Sequence, residues 1–380
     1  MTAAERYIES LELFGMAFGL ERMHDLLGRL DNPERSFDAI HVVGTNGKGS
    51  TVLFAEALLE AEGVRTGAYL SPHITSFRER IRVGGAEVGP AAYEEAVLRV
   101  REAAGTRVTQ FEALTAAAFS AFAAAGVEWG VVEAGLGGRL DATNVLSRSR
   151  VQVLTNVSLE HTQLLGSSRE AIAAEKLAVV PDGGLLVVGE PKWAALAPQA
   201  AKVEAVRAEG AYQDQNRAVA RAAVELALGR RVDPAAMLGL RIPGRMEVRG
   251  HDPLEVWDGA HNVAGMARFV AELPALAEGH EPRVAVFSTL GEKDVAGMVE
   301  LLSGVCDVVV ATQSTKPRVL PAAELAAITG GEFEADPGRA RERAIQLSGH
   351  RGAVIVCGSL YLLHDLISRP HGVEAARSPA

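Results

Sequence analysis

Three glycines, a lysine and three hydroxyls share eight consecutive positions, GTNGKGST at residues 44–51. The apolar, β-branched run Ile40 to Val43 precedes them and reads as a buried strand. The stretch VLFAEALLEAEG, residues 52–63, follows with apolar residues at helical spacing. Gly44 to Thr51 is therefore a strand-to-helix turn. Gly44, Gly47 and Gly49 let backbone N–H groups approach an anion closely, and Thr45 and Asn46 complete the loop. The helix N-terminus adds its partial positive charge. Lys48 can reach β- and γ-phosphates, and a hydroxyl of Ser50 or Thr51 can face Mg²⁺. The pattern departs from the common G-x-x-x-x-G-K-[ST] loop, because Gly49 separates Lys48 from Ser50.

Further acids and imidazoles follow other apolar runs. Glu133 opens EAGLGGRLDATN, residues 133–144. A buried carboxylate is costly unless it is paired or metal-bound, and magnesium takes one or two carboxylates plus phosphates and waters. A salt-bridged edge residue is the competing reading. Gly135, Gly137 and Gly138 allow close backbone approach, while Arg139, Asp141, Thr143 and Asn144 offer polar contacts; a simple tight turn is the alternative. His161 lies in the loop of TNVSLEHTQLLGSSREAIAAEK, residues 155–176, either as a surface residue or as a ligand. Lys176 sits on a helix beginning near Ser168, with Glu170 as a capping-box candidate; taken alone it reads as a solvated lysine. Ser71 ends a strand and leads into Arg78, Arg80 and Arg82, which form either a solvated face or the flank of a loop closing over an anion. Asp258 and His261 of DGAHN could contact a nucleotide, or could build an Asx turn and a helix cap.

The elements that must hold these residues alternate along the chain. Strands are expected at 40–43, 66–70, 129–135, 151–157, 185–189, 254–259, 283–289, 307–312 and 353–359. Helices are expected at 52–62, 90–104, 111–125, 169–179, 214–228, 263–277 and 339–348. The alternation predicts parallel sheets covered by helices, which bind ligands at the carboxyl ends of their strands. The fold class is α/β: an N-terminal P-loop-type domain and a smaller C-terminal Rossmann-like domain. The stretch RIPGRMEVRGHDP, residues 241–253, is the boundary candidate, and the tail from about Ser368 reads as frayed.

Composition narrows the function classes. The 380 residues are 48% hydrophobic and 23% charged, as in an ordinary globular enzyme of two domains. A net charge of −10 argues against a nucleic-acid partner. Cys306 and Cys357 lie in or beside apolar runs and read as buried thiols rather than a disulfide. The N-terminal stretch MTAAERYIESLELF is amphipathic and acidic, unlike a targeting peptide, and no apolar run reaches the ~18 residues of a membrane span. A cytoplasmic protein with no membrane partner is expected.

The ordered motifs resemble the folylpolyglutamate synthase/dihydrofolate synthase family of the Mur ligase superfamily. They are GTNGKGS (44–50), SPH with RERI (71–81), FEALTAAAF (111–119), EAGLGGRLDATN (133–144), LEH…LG…IAAEK (159–176), PGR (243–245), DGAHN (258–262) and GSLYL (358–362). The resemblance implies an ATP-binding central domain over 1–245 and a glutamate-ligase domain over 246–380. It implies a monomer whose substrates are MgATP, L-glutamate and a pterin acid or folate, joined through an acyl phosphate. It also implies roles. Residues 44–51 would hold the ATP phosphates; Ser50, Ser71, Glu133 and His161 would bind metal; Lys176 would carry a CO₂-derived carbamate; Arg245, Asp258 and His261 would contact ATP. Departures are Leu177 and onward (EKLAVVP, where AGI and a further lysine are usual), Val263, Glu160 before His161, and GEKD at 291–294. Another Mur-type ligase and a P-loop small-molecule kinase are the rivals, and the second domain bearing DGAHN counts against the kinase.

Overall fold

The computed structural model describes residues 1–12, 19–104, 108–199, 201–315 and 318–368, so the expected frayed tail beyond Ser368 lies outside the described residues. The chain divides into two compact units, Met1–Leu240 and Arg241–Ala380. The division falls at the start of the Pro- and Gly-rich stretch singled out above.

Among the described residues, the first unit is built on an eight-stranded sheet. Its strands are β1 (Asp38–Val43), β2 (Thr66–Tyr69), β3 (Ile81–Val83), β4 (Ala86–Glu87), β5 (Trp129–Glu133), β6 (Ser149–Leu154), β7 (Leu185–Val188) and β8 (Lys202–Ala205). The order is β4-β3-β2-β5-β1-β6-β7-β8. All neighbours run parallel except β2–β3 and β3–β4. The register is informative. Val42 pairs with Glu133, Tyr69 with Val132, and Val43 with Leu154. Four adjacent strands thus end level, and the loops after β1, β2, β5 and β6 leave one edge of the sheet together. These are the loops that carry the chemistry-bearing motifs, and the crossover at β1 makes this the switch point where such sheets bind ligands.

The helices follow from caps and apolar faces. Thr109 and Glu112 form a capping box that starts helix Gln110–Ala125, whose buried residues 112–122 back the sheet. Phe37 and Phe122 meet edge-on there, 5.4 Å between centroids. Helix Lys48–Ala61 starts four residues before the expected 52, because Gly47 at φ 84° turns the chain directly into it. Ser168 caps helix Arg169–Leu177 by accepting from Ala171 N–H. The capping-box expectation for Glu170 is corrected: the position three residues after the cap is Ala171.

The second unit, taken by itself, has a six-stranded sheet among its described residues. It comprises β9 (Glu247–His251), β10 (Leu254–Trp257), β11 (Arg283–Phe287), β12 (Val308–Ala311), β13 (Glu332–Phe333) and β14 (Ala353–Cys357), in the order β13-β12-β11-β14-β10-β9. Only β9 is antiparallel. Its core gathers Val256, Phe269, Leu273, Phe287, Leu302 and Ile355. Cys306 and Cys357 are buried free thiols, and burial pushes the Cys306 thiol up to about 12. Among the described residues no helix is long and apolar enough to cross a membrane.

Candidate active site

Strand β1 delivers the glycine loop, and three features hold it open. Gly44 has φ 150°, and a Cβ there would lie 1.9 Å from Thr155 Oγ1. Gly47 is left-handed, and a Cβ there would lie 2.4 Å from Asn216 Oδ1. The segment after β6 then pins the loop from below. Asn156 accepts from Asn46 N–H at 3.1 Å and donates to Asn46 O at 2.6 Å. Thr155 Oγ1 donates to the same carbonyl at 2.8 Å, and Ser158 N–H donates to Thr45 Oγ1 at 3.1 Å. Helix Lys48–Ala61 has no side-chain cap, so its first N–H groups face whatever the loop binds. Thr51 donates its hydroxyl to Gly47 O at 2.9 Å, whereas Ser50 Oγ accepts from Gln213 Nε2 at 3.3 Å, which leaves a second lone pair.

Glu133 ends β5 directly beside this loop. It is 4% exposed, accepts from Ser71 N–H at 3.0 Å and lies 3.8 Å from Lys48 Nζ. Lys48 also donates to Thr45 O at 3.2 Å. Gly49 leaves space where a Cβ would sit 3.3 Å from the Glu133 carboxylate. Ser50, Ser71, Glu133 and Lys48 thus converge from three strand ends. The donors are hard oxygens with one carboxylate, which suits magnesium supplemented by phosphates and waters. No cluster of three or more His, Cys, Asp or Glu able to hold a metal forms among the described residues, so a zinc-type site is absent there.

His161 adopts φ 50° at the start of the short helix Thr162–Leu165. Its side chain is 42% exposed, with Nε2 3.8 Å from Glu160 Oε1. Lys176 departs from the bare expectation of a solvated lysine. It is buried, and Nζ donates to Gly44 O at 2.9 Å. Burial, and then the Lys48 cation, pull it down to about 7 against the opposing pull of Glu160, Asp141 and Glu175. Gly138 packs against the backbone of the helix that carries it, where a Cβ would lie 2.6 Å from Lys176 O.

The remaining motifs resolve locally. Asp141 and Thr143 are buried and bonded to each other and to the loop backbone, and Asn144 donates to Arg139 O at 3.0 Å. Arg80 Nε donates to His73 Nδ1 at 3.0 Å, and Arg82 pairs with Glu56 at 2.7 Å, so these two are not a solvated face. In the second unit, Asp258 accepts from Met246 and Ala260 N–H, both at 2.8 Å, which builds the Asx turn. Asn262 caps the next helix by accepting from Gly265 N–H at 2.7 Å. Arg245 donates to Gly244 O at 3.0 Å, and His261 Nδ1 bonds Gly259 O at 2.9 Å. Gly259 N–H donates to Gly244 O at 2.8 Å, so Arg245, Asp258 and His261 stand on one small scaffold.

Sequence reasoning missed Thr155, Asn156, Gln213, Asn216 and His41. The first two were absorbed into an expected strand 151–157, although a Thr-Asn pair closing an apolar run is itself a sign of a strand end. Gln213 and Asn216 carry no local signal, since they reach the loop from a helix more than 160 residues away.

Comparison with known proteins agrees with this architecture. The family model described as "Mur ligase, glutamate ligase domain" matches residues 244–360. The chain is 33% identical to the dihydrofolate synthase/folylpolyglutamate synthase of Mycobacterium tuberculosis, covering 85% of this chain and 80% of that protein. It is 30% identical to the Escherichia coli protein of the same name, covering 98% and 95%. Among solved structures it matches E. coli FolC in complex with DHPP and ADP at TM-score 0.88, with 28% identity over 96% of this chain and 95% of that one. It matches a bifunctional folylpolyglutamate synthase/dihydrofolate synthase with Mn, AMPPNP and L-glutamate bound at TM-score 0.87, with 30% identity over 97% of each. With the level strand ends, the glycine loop and these likenesses in hand, the chain belongs to the dihydrofolate synthase/folylpolyglutamate synthase family.

Proposed function

We infer that this protein is an ATP-dependent ligase that joins L-glutamate in amide linkage to a pterin acid: dihydropteroate, a reduced folate or both. The observation that carries the reading is the glycine loop with Lys48 held 3.8 Å from buried Glu133, in a chain of this family. A carboxylate is a poor electrophile. In the proposed route a carboxylate oxygen of the acceptor attacks the γ-phosphorus of ATP, and ADP departs. The glutamate nitrogen then adds to the acyl phosphate carbon, loses a proton, and inorganic phosphate leaves.

The chain's own residues position the reactants and offset charge. The backbone of residues 44–51 and Lys48 hold the phosphates. Ser50, Ser71, Glu133 and His161 would hold magnesium, whose charge, when bound, neutralises phosphate oxygens. Lys176 would act as a carbamate, and its depressed basicity supports this because only the neutral amine adds CO₂. Arg245, Asp258 and His261 would bind the nucleotide from the second unit. The ATP-binding role falls to residues up to about 245 and the glutamate-ligase role to the rest, a division supported by the family match over 244–360. We also place the protein in the cytoplasm as a monomer; sedimentation at enzyme-assay concentration tests the monomer, and cell fractionation tests the compartment.

The test is an assay with ATP, glutamate and either dihydropteroate or tetrahydrofolate, read by product mass. A product heavier by one glutamyl residue, with ADP release dependent on both substrates, is expected. A phosphorylated acceptor formed without glutamate would support a kinase, and amide formation only with another acceptor would support a different Mur-type ligase.

A further inference from the structure

His41 has no place in the chemistry above, yet it lies fully buried in the middle of β1. Its Nε2 sits 2.7 Å from Thr143 Oγ1, which in turn lies 2.5 Å from Asp141 Oδ1. The direction of this chain follows from donor counting. Burial raises the Asp141 carboxyl, but the Leu136 and Thr143 N–H groups that it accepts favour its ionised form, which has only lone pairs, so the single Thr143 hydroxyl proton is donated to it. The Thr143 oxygen must then accept from His41, which requires the Nε2–H tautomer. Burial pushes the ring down to about 4, so at neutral pH it carries one N–H.

Asp141 is the knot of the 135–144 loop. Besides the Thr143 hydroxyl it accepts from Thr143 N–H at 3.0 Å and from Leu136 N–H at 2.8 Å. The loop so closed begins two residues after Glu133 and presses Gly138 against the Lys176 backbone. Arg139 N–H also donates to Glu175 O at 3.2 Å. We propose that His41 is a positioning residue: its Nε2–H, relayed through Thr143, locks Asp141 and thereby fixes the loop that sets Glu133 and Lys176 in place. The proposal rests on the ligase reading for its kinetic consequence, but the hydrogen-bond chain stands on geometry alone.

A cavity of about 300 Å³ is lined in part by His41, Leu146, Ser147, Val179 and Pro181. The test compares His41→Phe, His41→Gln, Thr143→Val and the double variant His41→Phe/Thr143→Val by steady-state kinetics. It adds ¹⁵N NMR of the imidazole in the resting wild-type protein. His41→Phe should lower kcat about tenfold, within the range seen when a supporting hydrogen bond is removed. KM for ATP should stay within about twofold, because the glycine loop is untouched. His41→Gln, whose amide can donate to Thr143, should recover most of the loss. Thr143→Val should match His41→Phe, and the double variant should be no worse than either single one. Multiplied losses, a His41→Phe enzyme as active as wild type, or a ring in the Nδ1–H tautomer would each overturn the proposal. If His41→Phe does not fold, the tautomer and Thr143→Val still decide it. Failure of the wild-type enzyme to form any glutamyl amide would sink the ligase reading and leave the tautomer result standing.

Discussion

Lys176 shows how one side chain acquires its chemistry from distant parts of the chain. Its Nζ donates to Gly44 O, 132 residues away, and Gly138 closes over its backbone. Neither contact is visible in the helix REAIAAEKL that carries it, which is why sequence pattern alone gives a solvated lysine. With its basicity brought down to about 7, far below the ordinary lysine value, its neutral amine is available to CO₂ near physiological pH. Lys176→Ala should therefore lose nearly all ligase activity, and short carboxylates such as formate or acetate should partly restore it. An Ala variant as active as wild type would remove the carbamate assignment. Stability carries an independent signature. Between about 7, the folded value, and the ordinary lysine value of 10.5, the unfolded chain binds a proton that the folded one does not. Stability should thus rise with pH across that window from this group, with the destabilisation complete below it. Lys176→Met should flatten this limb in urea midpoints measured from pH 7 to 10, and an unchanged slope would show that Lys176 is not the group responsible.

At the scale of elements, the level ends of β2, β5, β1 and β6 do the organising. These strands were legible because each carries a short, mostly buried apolar stretch, such as Val42–Val43 in β1, Val131–Val132 in β5 and Val153–Leu154 in β6, as parallel strands do. The edge strands were not. Residues of β4, β8 and β13 are exposed along their length, and β9 mixes charges with glycine, so no periodicity marks them. The site was legible where a strand ends in a glycine or an acid, as at Gly44 and Glu133. It was hidden where a polar side chain merely supports the loop from another element. Asn156 is the clearest such support, clamping Asn46 through both amide atoms. Asn156→Ala removes two hydrogen bonds of roughly 0.5–1.5 kcal/mol each. We expect kcat/KM for ATP to fall about tenfold while KM for glutamate holds, since only the phosphate loop loosens. Equal losses for both substrates in steady-state kinetics would show instead that the whole site depends on this clamp.

For the molecule as a whole, two sheets with separate cores were expected from length and from the Pro243–Gly244 turn region. The second unit, residues 241–380, has the size of an ordinary domain. Its apolar cluster draws wholly on its own strands and helices, from Leu254 to Cys357. Polar ties inside it are also self-contained: Arg341 makes two bonds to buried Glu255, at 2.6 and 2.7 Å, and Glu255 accepts from Trp257 Nε1 at 2.7 Å. A unit with its own core and its buried Glu255 paired internally should fold without the other. The isolated segment 241–380 should unfold in one cooperative transition and report its packing through Trp257. That tryptophan is 5% exposed, with the Arg249 guanidinium 4.3 Å from its ring centroid. Its emission should be blue-shifted in the native fragment and move to the red in denaturant with the same midpoint as the circular dichroism. Lacking Lys48, Glu133 and Lys176, the fragment should not turn over ATP. Emission already red-shifted in buffer, or non-coincident transitions, would mean that the core of residues 241–380 needs the first unit to form.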